Sequence, residues 1–250
     1  MKIRILKSKV TRKKFKKFEF ERVSLNKTGD NVVLGKKSRV FKAQSEELKR
    51  EQKPNIIKIS ATVGYCSIKN FNDIVRKMSN IREQFAVCLN QFIEAISDII
   101  DSEGGYLLRF FRDGVYFYFP SDKTSPNSAT KATVSSLKMR YRMNKLNRNW
   151  RFYRDDSWLI SVGIATGTVL IEEIKNKEDV KTLLTGQTAE LARGMGSSAS
   201  SGKVLITDNT YNDAGFKKGY FVIEEPYHMQ PKGINYMTKV YEITGMVRGE

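Results

Sequence analysis

The sequence predicts an α+β fold in which helices pack on one face of a mostly antiparallel β-sheet. From residue 56 onward, apolar segments with the period of a strand alternate with segments of helical period. Their order is strand, helix, hairpin, helix, strand pair, helix, strand, which fits a sheet covered by helices better than a repeat or a bundle. The turn signal Arg112-Asp113-Gly114 joins two of the strands directly, and such a tight connection is typical of antiparallel neighbours.

Each element is predicted from its own residues. Residues 56–66 are β-branched at their start and predict a buried strand. Apolar residues from Phe71 to Ile100 follow the helical period and predict one long helix that ends at Gly104-Gly105. The hairpin 107–119 comes next. After a polar segment over 121–133 the predicted elements are a helix over 134–147, a strand over 158–165, a turn at Gly167 into a strand over 168–172, a helix over 188–195, and strands over 204–206, 220–223 and 239–243.

Composition indicates a soluble globular protein. The chain has 250 residues, of which 40% are hydrophobic, enough for one core of ordinary size. No apolar run approaches the ~20 residues that a membrane-spanning helix needs, and the first residues lack the apolar region of a secretory signal, so we expect a cytoplasmic protein without a transmembrane segment. The two cysteines, Cys66 and Cys88, are expected to be buried and reduced.

Positive charge is concentrated at the start of the chain. Residues 1–52 hold 17 Lys and Arg against 6 Asp and Glu, a net +11 of the total +17. We interpret 1–52 as a basic arm or small extension and 53–250 as the main domain. The arm is expected to be solvated; a polyanion contact, with nucleic acid or an anionic membrane surface, is the alternative. The partial alternation over 18–23 leaves a small β element open.

Asp113 is the most informative single residue. It stands at the tip of an apolar hairpin, where a lone carboxylate is accessible to a cation. The alternative is that Asp-Gly serves only the backbone geometry of the turn.

From about residue 55 to 243 the chain resembles the class III nucleotide cyclase catalytic domain. The motifs that carry the resemblance, in the family's order, are the strand end Tyr65-Cys66-Ser67-Ile68-Lys69-Asn70-Phe71, the hairpin from Gly104-Gly105 to Arg112-Asp113, Val162-Gly163-Ile164-Ala165-Thr166-Gly167, the helix start Gly186-Gln187-Thr188-Ala189-Glu190-Leu191-Ala192, and the Lys232-Gly233 loop before Val240-Tyr241. The resemblance implies a ferredoxin-like βαββαβ cyclase fold. It also implies a nucleoside triphosphate substrate and a homodimer with composite sites across its interface.

The resemblance implies metal ligands at two of these motifs. In the family two Asp side chains and a backbone carbonyl hold two divalent cations, Mn²⁺ or Mg²⁺, which assist cyclisation. Asp113 matches the second Asp, and Ile68 matches the carbonyl. The first Asp position is Ser67, whose hydroxyl can contact a metal but supplies no charge. The expectation is therefore two cations, or only one.

The same resemblance bears on the substrate base. Arg109 stands where ATP-using members carry Lys, and the partner position is Leu183 rather than a polar residue. Arg offers several donors to a carbonyl-rich base edge, and Tyr65 reduces the space beside it. These features resemble stand-alone bacterial pyrimidine cyclases of antiphage signalling, which make cyclic CMP or cyclic UMP. The alternatives are a surface role for Arg109 and a packing role for Tyr65.

The basic residues further along match the family less closely. Lys232 is expected to contact the triphosphate, and so is Arg193, although the family's transition-state Arg aligns one residue later, at Gly194. Glu190 stands where the family has Asn, and its charge requires compensation by a cation or by Arg193. Three hypotheses follow: an active pyrimidine cyclase, a cyclase-fold pseudoenzyme that binds nucleotide or a partner chain, and a basic binder of nucleic acid or a membrane surface.

Overall fold

The structure is a computed structural model that describes residues 55–78, 82–111, 113–121, 127–150, 157–175, 180–212 and 219–247. All of them belong to one compact unit, Gln52–Glu250. The predicted arm over 1–52 lies outside the described residues, so its role and its polyanion contact stay predictions. Among the described residues, no helix is long and apolar enough to cross a membrane.

The described strands form a single nine-stranded sheet. They are β1 (Asn55–Ile68), β2 (Tyr106–Phe111), β3 (Gly114–Pro120), β4 (Ile160–Lys175), β5 (Val180–Thr185), β6 (Val204–Thr207), β7 (Phe221–Ile223), β8 (Tyr227–Met229) and β9 (Thr238–Met246). The strand order is β2-β3-β1-β4-β6-β9-β7, with β5 paired to β4 and β8 paired to β9. The described pairs are antiparallel except for β4 with β6. The predicted α+β fold with a mostly antiparallel sheet is confirmed, and the order β2-β3-β1-β4 is that of a ferredoxin-like βαββαβ unit.

Helices cover both faces of the sheet. They are α1 (Phe71–Lys77), α2 (Arg82–Ser102), α3 (Ser128–Asn149), α4 (Gln187–Ser198) and the single turn α5 (Asp208–Tyr211). Because side chains alternate along a strand, Cys66 and Ile68 of β1 face the core under α2 and α3. Ala61 and Val63 face the opposite side, where α4 packs. The prediction that the helices share one face was wrong for α4.

Two predicted boundaries differ for identifiable reasons. The single helix predicted over 71–100 is two helices, since α1 ends at Lys77 with Met78 as its C-cap and α2 begins at Arg82. The helix predicted over 134–147 begins earlier, at Ser128. The side chain of Asn127 accepts a 2.9 Å hydrogen bond from the backbone N–H of Thr130, which caps the helix inside the segment predicted as a polar loop.

Gly167 does not form the predicted turn. Strand β4 continues through it and pairs with β1, Gly167 lying opposite Ala61. A Cβ atom at this position would stand 2.6 Å from Oγ1 of Thr188, so glycine is required for the close approach of α4.

Both cysteines are buried thiols that are not joined in a disulfide, as predicted. Burial raises the pKa of the Cys66 thiol to about 12, and the neutral thiol packs in the core.

Candidate active site

The tip of the β2–β3 hairpin is fixed against the end of β1. Strand β3 pairs with β1 up to Ser67 opposite Gly114, and the backbone N–H of Ile68 donates a 2.6 Å hydrogen bond to the carbonyl oxygen of Asp113. A Cβ atom on Gly114 would lie 2.5 Å from the carbonyl oxygen of Cys66 and 2.6 Å from the Tyr65 ring. The Asp-Gly pair therefore permits this close approach, and it sets Asp113 beside residues 65–68.

The carboxylate of Asp113 accepts hydrogen bonds at both of its oxygens. The Tyr65 hydroxyl donates to Oδ1 over 3.0 Å, and Oγ of Ser67 donates to Oδ2 over a longer 3.4 Å. Tyr65 and Ser67 are each 1% exposed. Three residues that the sequence predicted for this site thus lie in direct contact.

Tyr65 is held as a neutral hydrogen-bond donor. Burial and the neighbouring Asp113 carboxylate raise the pKa of Tyr65 above its ordinary value, because both disfavour a phenolate. Its ring packs against Tyr116 with centroids 4.8 Å apart, and the two residues are register partners across β1 and β3. Tyr65 therefore contributes to packing as well as to the site.

The donor set around Asp113 fits one divalent cation and does not fit two. Hard cations take about six or more oxygen ligands, with carboxylates supplying the charge. Here Asp113 is the carboxylate, Ser67 offers a neutral hydroxyl and Ile68 a backbone carbonyl. Among the described residues no group of three His, Cys, Asp or Glu side chains could hold a metal ion. Phosphate oxygens of a substrate would have to complete the coordination of one cation.

A cleft of about 760 Å³ lies beside Asp113 and Tyr65. Arg193 and Lys232, the two residues predicted to bind the triphosphate, line the same cleft. Its lining includes Tyr65, Ile68, Asp113, Arg193 and Lys232. Residues from β1, the hairpin tip, α4 and the loop before β9 therefore surround one space in a single chain. Asp73 also lines the cleft, and Arg76 forms an exposed ion pair with its carboxylate at 2.5 Å.

Arg193 forms hydrogen bonds with two neighbouring residues, Glu190 and Tyr116. Its Nε and Nη2 donate to Oε2 of Glu190 over 3.1 and 2.6 Å, and the Tyr116 hydroxyl accepts a hydrogen bond from it. Arg193 therefore compensates the negative charge of Glu190, as predicted. Burial and the nearby Glu190 raise the pKa of Tyr116, an effect that Arg193 opposes. The sequence pattern did not indicate the Tyr116 contact, although its register with Tyr65 places it on the same face of the sheet.

Gly194 cannot carry the family's arginine in this structure. A Cβ atom there would lie 2.8 Å from the carbonyl oxygen of Lys232 and 2.9 Å from Cβ of Pro231. The loop containing Lys232 packs directly on α4 at this point, and its backbone N–H at Lys232 donates to Oγ of Ser198 over 2.8 Å. The space that a long side chain would need is filled by that loop.

Lys69 is a cleft residue that the sequence reasoning missed. It follows Ile68 at the end of β1, and its Nζ donates to the backbone carbonyl of Ser197 over 2.5 Å. Burial lowers the pKa of Lys69, Asp113 opposes that shift, and Lys232 adds to it. A basic residue within the strand-end motif was the available signal.

Arg109 and Leu183, two of the positions predicted for base recognition, lie on β2 and β5, which contact each other without being paired. Arg109 belongs to β2, where the pairing register with β3 shifts between Leu107 and Phe110; its side chain lies outside the described residues. Leu183 is exposed on β5, and β2 contacts β5. The Leu183 side chain offers no hydrogen-bonding group to a base.

Comparison with known proteins gives one family match. The model for the adenylate and guanylate cyclase catalytic domain matches residues 57–245, about three quarters of the chain. No protein of curated function matches in sequence.

Solved structures share the fold. The adenylyl cyclase CyaB from P. aeruginosa has 22% identity and a TM-score of 0.69, covering 78% of this chain and 98% of its own. The guanylyl cyclase Cya2 has 19% identity and a TM-score of 0.68, covering 78% and 96%. The guanylate cyclase domain of RhGC from Catenaria anguillulae, solved with GTP, has 22% identity and a TM-score of 0.63, covering 76% and 100%.

Proposed function

The chain belongs to the adenylate and guanylate cyclase catalytic domain family, and from this premise we propose that it converts a pyrimidine nucleoside triphosphate, CTP or UTP, into its 3′,5′-cyclic monophosphate and pyrophosphate. The observation that carries the proposal is the convergence of Asp113, Arg193 and Lys232 on one cleft next to Tyr65. A carboxylate that can hold a metal and cationic groups around the same space suit a metal-bound triphosphate.

In the proposed reaction the ribose 3′-oxygen attacks the α-phosphorus, and the bond from that phosphorus to the oxygen bridging the α- and β-phosphates breaks. Pyrophosphate leaves with that oxygen, and the proton of the 3′-hydroxyl passes to water. Asp113, Ser67 and the carbonyl of Ile68 are the residues that would hold a cation. Such an ion, Mn²⁺ or Mg²⁺, would polarise the phosphate and lower the pKa of the attacking hydroxyl. Lys232 and Arg193 would bind the charged oxygens of the triphosphate and orient it.

The residue types at the base positions support the proposal of a pyrimidine over a purine. Tyr65 is a bulky side chain that packs on Tyr116 and occupies space on the cleft wall. Leu183 cannot accept a hydrogen bond from the amino group of adenine, and Arg109 matches a carbonyl-rich edge. The RhGC neighbour was solved with GTP, but at 22% identity its substrate does not transfer to this chain.

The wider context of the proposal rests on the sequence resemblance to antiphage pyrimidine cyclases. We place the reaction in the cytoplasm, where the cyclic nucleotide would act as a second messenger in antiphage defence. The active form would be a homodimer in which two copies build composite sites, as family members do.

The direct test is incubation of the purified chain with each of the four nucleoside triphosphates and Mn²⁺, with product identified by mass spectrometry. We expect a cyclic product from CTP or UTP and at least a tenfold lower yield from ATP and GTP. Asp113→Asn, which keeps the side-chain shape and removes the charge, should reduce the yield by at least 100-fold. Absence of cyclic product from all four triphosphates would refute the proposal.

A pseudoenzyme that binds nucleotide or a partner chain is the second candidate, and two observations favour it. Ser67 supplies no charge to a metal, and Glu190 places a carboxylate beside Arg193 that a triphosphate would have to displace. Binding of a nucleoside triphosphate without any cyclic product, in the presence of Mn²⁺, is the result that this candidate requires.

A further inference from the structure

We propose that Lys69 takes the place of one of the family's two divalent cations, so that its ammonium group neutralises a bound triphosphate directly. This inference rests on the proposed function, because it concerns the same cleft and the same substrate class. It follows from a mismatch between the residues present and a two-cation site.

The residues at the end of β1 do not supply the ligands of a two-cation site. Ser67 is buried, and its hydroxyl is directed at Asp113, so the end of β1 and the hairpin tip supply one carboxylate where the resemblance implies two. Asp73 also lines the cleft, but its carboxylate forms an ion pair with Arg76. A second cation would then have no carboxylate of its own, whereas even Mg²⁺ at a phosphate site is bound through one or two carboxylates. The site therefore lacks the negative charge that retains a second cation.

Lys69 supplies positive charge at that place. It is two residues beyond Ser67, lines the cleft, and is close enough to Asp113 and Lys232 for both charges to act on its ammonium group. Its described hydrogen bond is to the carbonyl oxygen of Ser197, an uncharged acceptor, and that bond uses one of three N–H donors. The hydrogen bond to Ser197 therefore does not neutralise the ammonium group of Lys69.

The other cationic groups are placed differently. Glu190 pairs with Arg193 and offsets part of its charge, and Arg193 enters from α4. Lys232 enters from the loop packed on the same helix. Of these three groups, Lys69 is the one carried by the strand end that the family uses for metal ligands. A lysine there can act as a point charge on phosphate without recruiting an ion.

Because Lys69 would bind the triphosphate whether or not a cation is held at Asp113, the inference predicts that triphosphate binding persists without divalent metal. The probes are 2′,3′-dideoxy CTP and 2′,3′-dideoxy UTP, which lack the attacking hydroxyl and cannot be cyclised, titrated calorimetrically into the full chain in EDTA and then in Mn²⁺. We expect the native chain to bind at least one probe in EDTA with a Kd within about tenfold of that in Mn²⁺. Lys69→Met should weaken binding in EDTA at least tenfold, about 1.4 kcal/mol or more.

Two further variants make the result specific to the lysine. Lys69→Arg keeps the charge and should restore at least half of the lost binding free energy. Lys58→Met removes an exposed lysine of the same strand and should leave Kd unchanged. Thermal unfolding of each variant shows whether it is folded at the titration temperature.

The inference is overturned if the native chain binds neither probe in EDTA, or if folded Lys69→Met binds as tightly as the native chain there. These outcomes are separate from failure of the proposed function. A chain that binds in EDTA through Lys69 but yields no cyclic product would keep the inference and exclude the cyclase.

Discussion

The Tyr65 hydroxyl donates a 3.0 Å hydrogen bond to Oδ1 of Asp113, and this bond joins the centre of the sheet to the tip of the hairpin. Tyr65 is buried, whereas Asp113 reaches the cleft. The residue proposed to hold a cation is therefore positioned by a neutral donor from the same chain. A substitution of Tyr65 should therefore change both the stability of the protein and the position of the Asp113 carboxylate.

Tyr65→Phe keeps the ring and removes the hydroxyl. Because a hydrogen bond to a charged group contributes about 1.5–3 kcal/mol, we expect the free energy of unfolding to fall by about 2 kcal/mol. Urea unfolding followed by tryptophan fluorescence measures it. In an Asp113→Asn background the same change should cost less than half as much. Tyr106→Phe, at a residue that is 54% exposed, is the control and should cost little. Equal losses in both backgrounds would show that the bond contributes nothing.

Ser67→Asp restores the family's carboxylate and should make stability depend on metal. The new side chain would stand where Oγ now lies 3.4 Å from Oδ2 of Asp113, and two carboxylates this close repel each other. We expect the melting temperature to fall in EDTA and to recover in Mn²⁺ by more than the native chain gains. Ser67→Ala, which adds no charge, should show no such recovery. Equal Mn²⁺ responses in Ser67→Asp and the native chain would contradict this expectation.

The hairpin could be predicted from the sequence because its signals are local. Asp-Gly fixes the turn, and apolar, strand-forming residues on both sides of it fix the two strands, so the position of Asp113 followed without knowledge of the rest of the fold. Its neighbours at 65–68 were reached only through the order of motifs in a known family. Nothing in the period of β1 itself indicates which strand lies beside it.

The features that were missed depend on contacts between distant segments. Lys69 lies in the cleft because α4 offers the carbonyl of Ser197, a contact across 128 residues of sequence. Gly167 has the composition of a turn, yet it serves the approach of Thr188, and sequence alone does not separate these two uses of glycine. Small residues on α4 gave no indication of which face of the sheet it would cover.

Gly194→Ala should disturb the position of Lys232. In an exposed helix alanine is favoured over glycine by about 1 kcal/mol, but here the added Cβ would meet the carbonyl oxygen of Lys232 at 2.8 Å. We expect the protein to lose about 1–3 kcal/mol of stability, as overpacked sites do. If the chain is active, KM for the triphosphate should rise while kcat changes less. Gly245→Ala, where nothing lies within 4 Å of the new atom, is the matched control. A more stable Gly194→Ala variant with unchanged KM would contradict the packing seen here.

Cys66 should make the protein less stable at alkaline pH. Its pKa is about 12 in the folded chain against 9.0 for an ordinary cysteine, since burial disfavours the thiolate. The unfolded chain therefore releases this proton above pH 9 and the folded chain does not, so the contribution to stability is complete below pH 9 and declines as the pH rises toward 12. Between pH 8 and pH 10 the native protein should lose about 1 kcal/mol more unfolding free energy than Cys66→Ala, measured by urea unfolding at each pH. The tyrosines are common to both proteins and cancel in the comparison. If the unfolding free energies of the native protein and of Cys66→Ala fall equally with pH, the folded thiol ionises as an exposed one does. Labelling of Cys66 in the native protein by iodoacetamide at pH 9 would lead to the same conclusion.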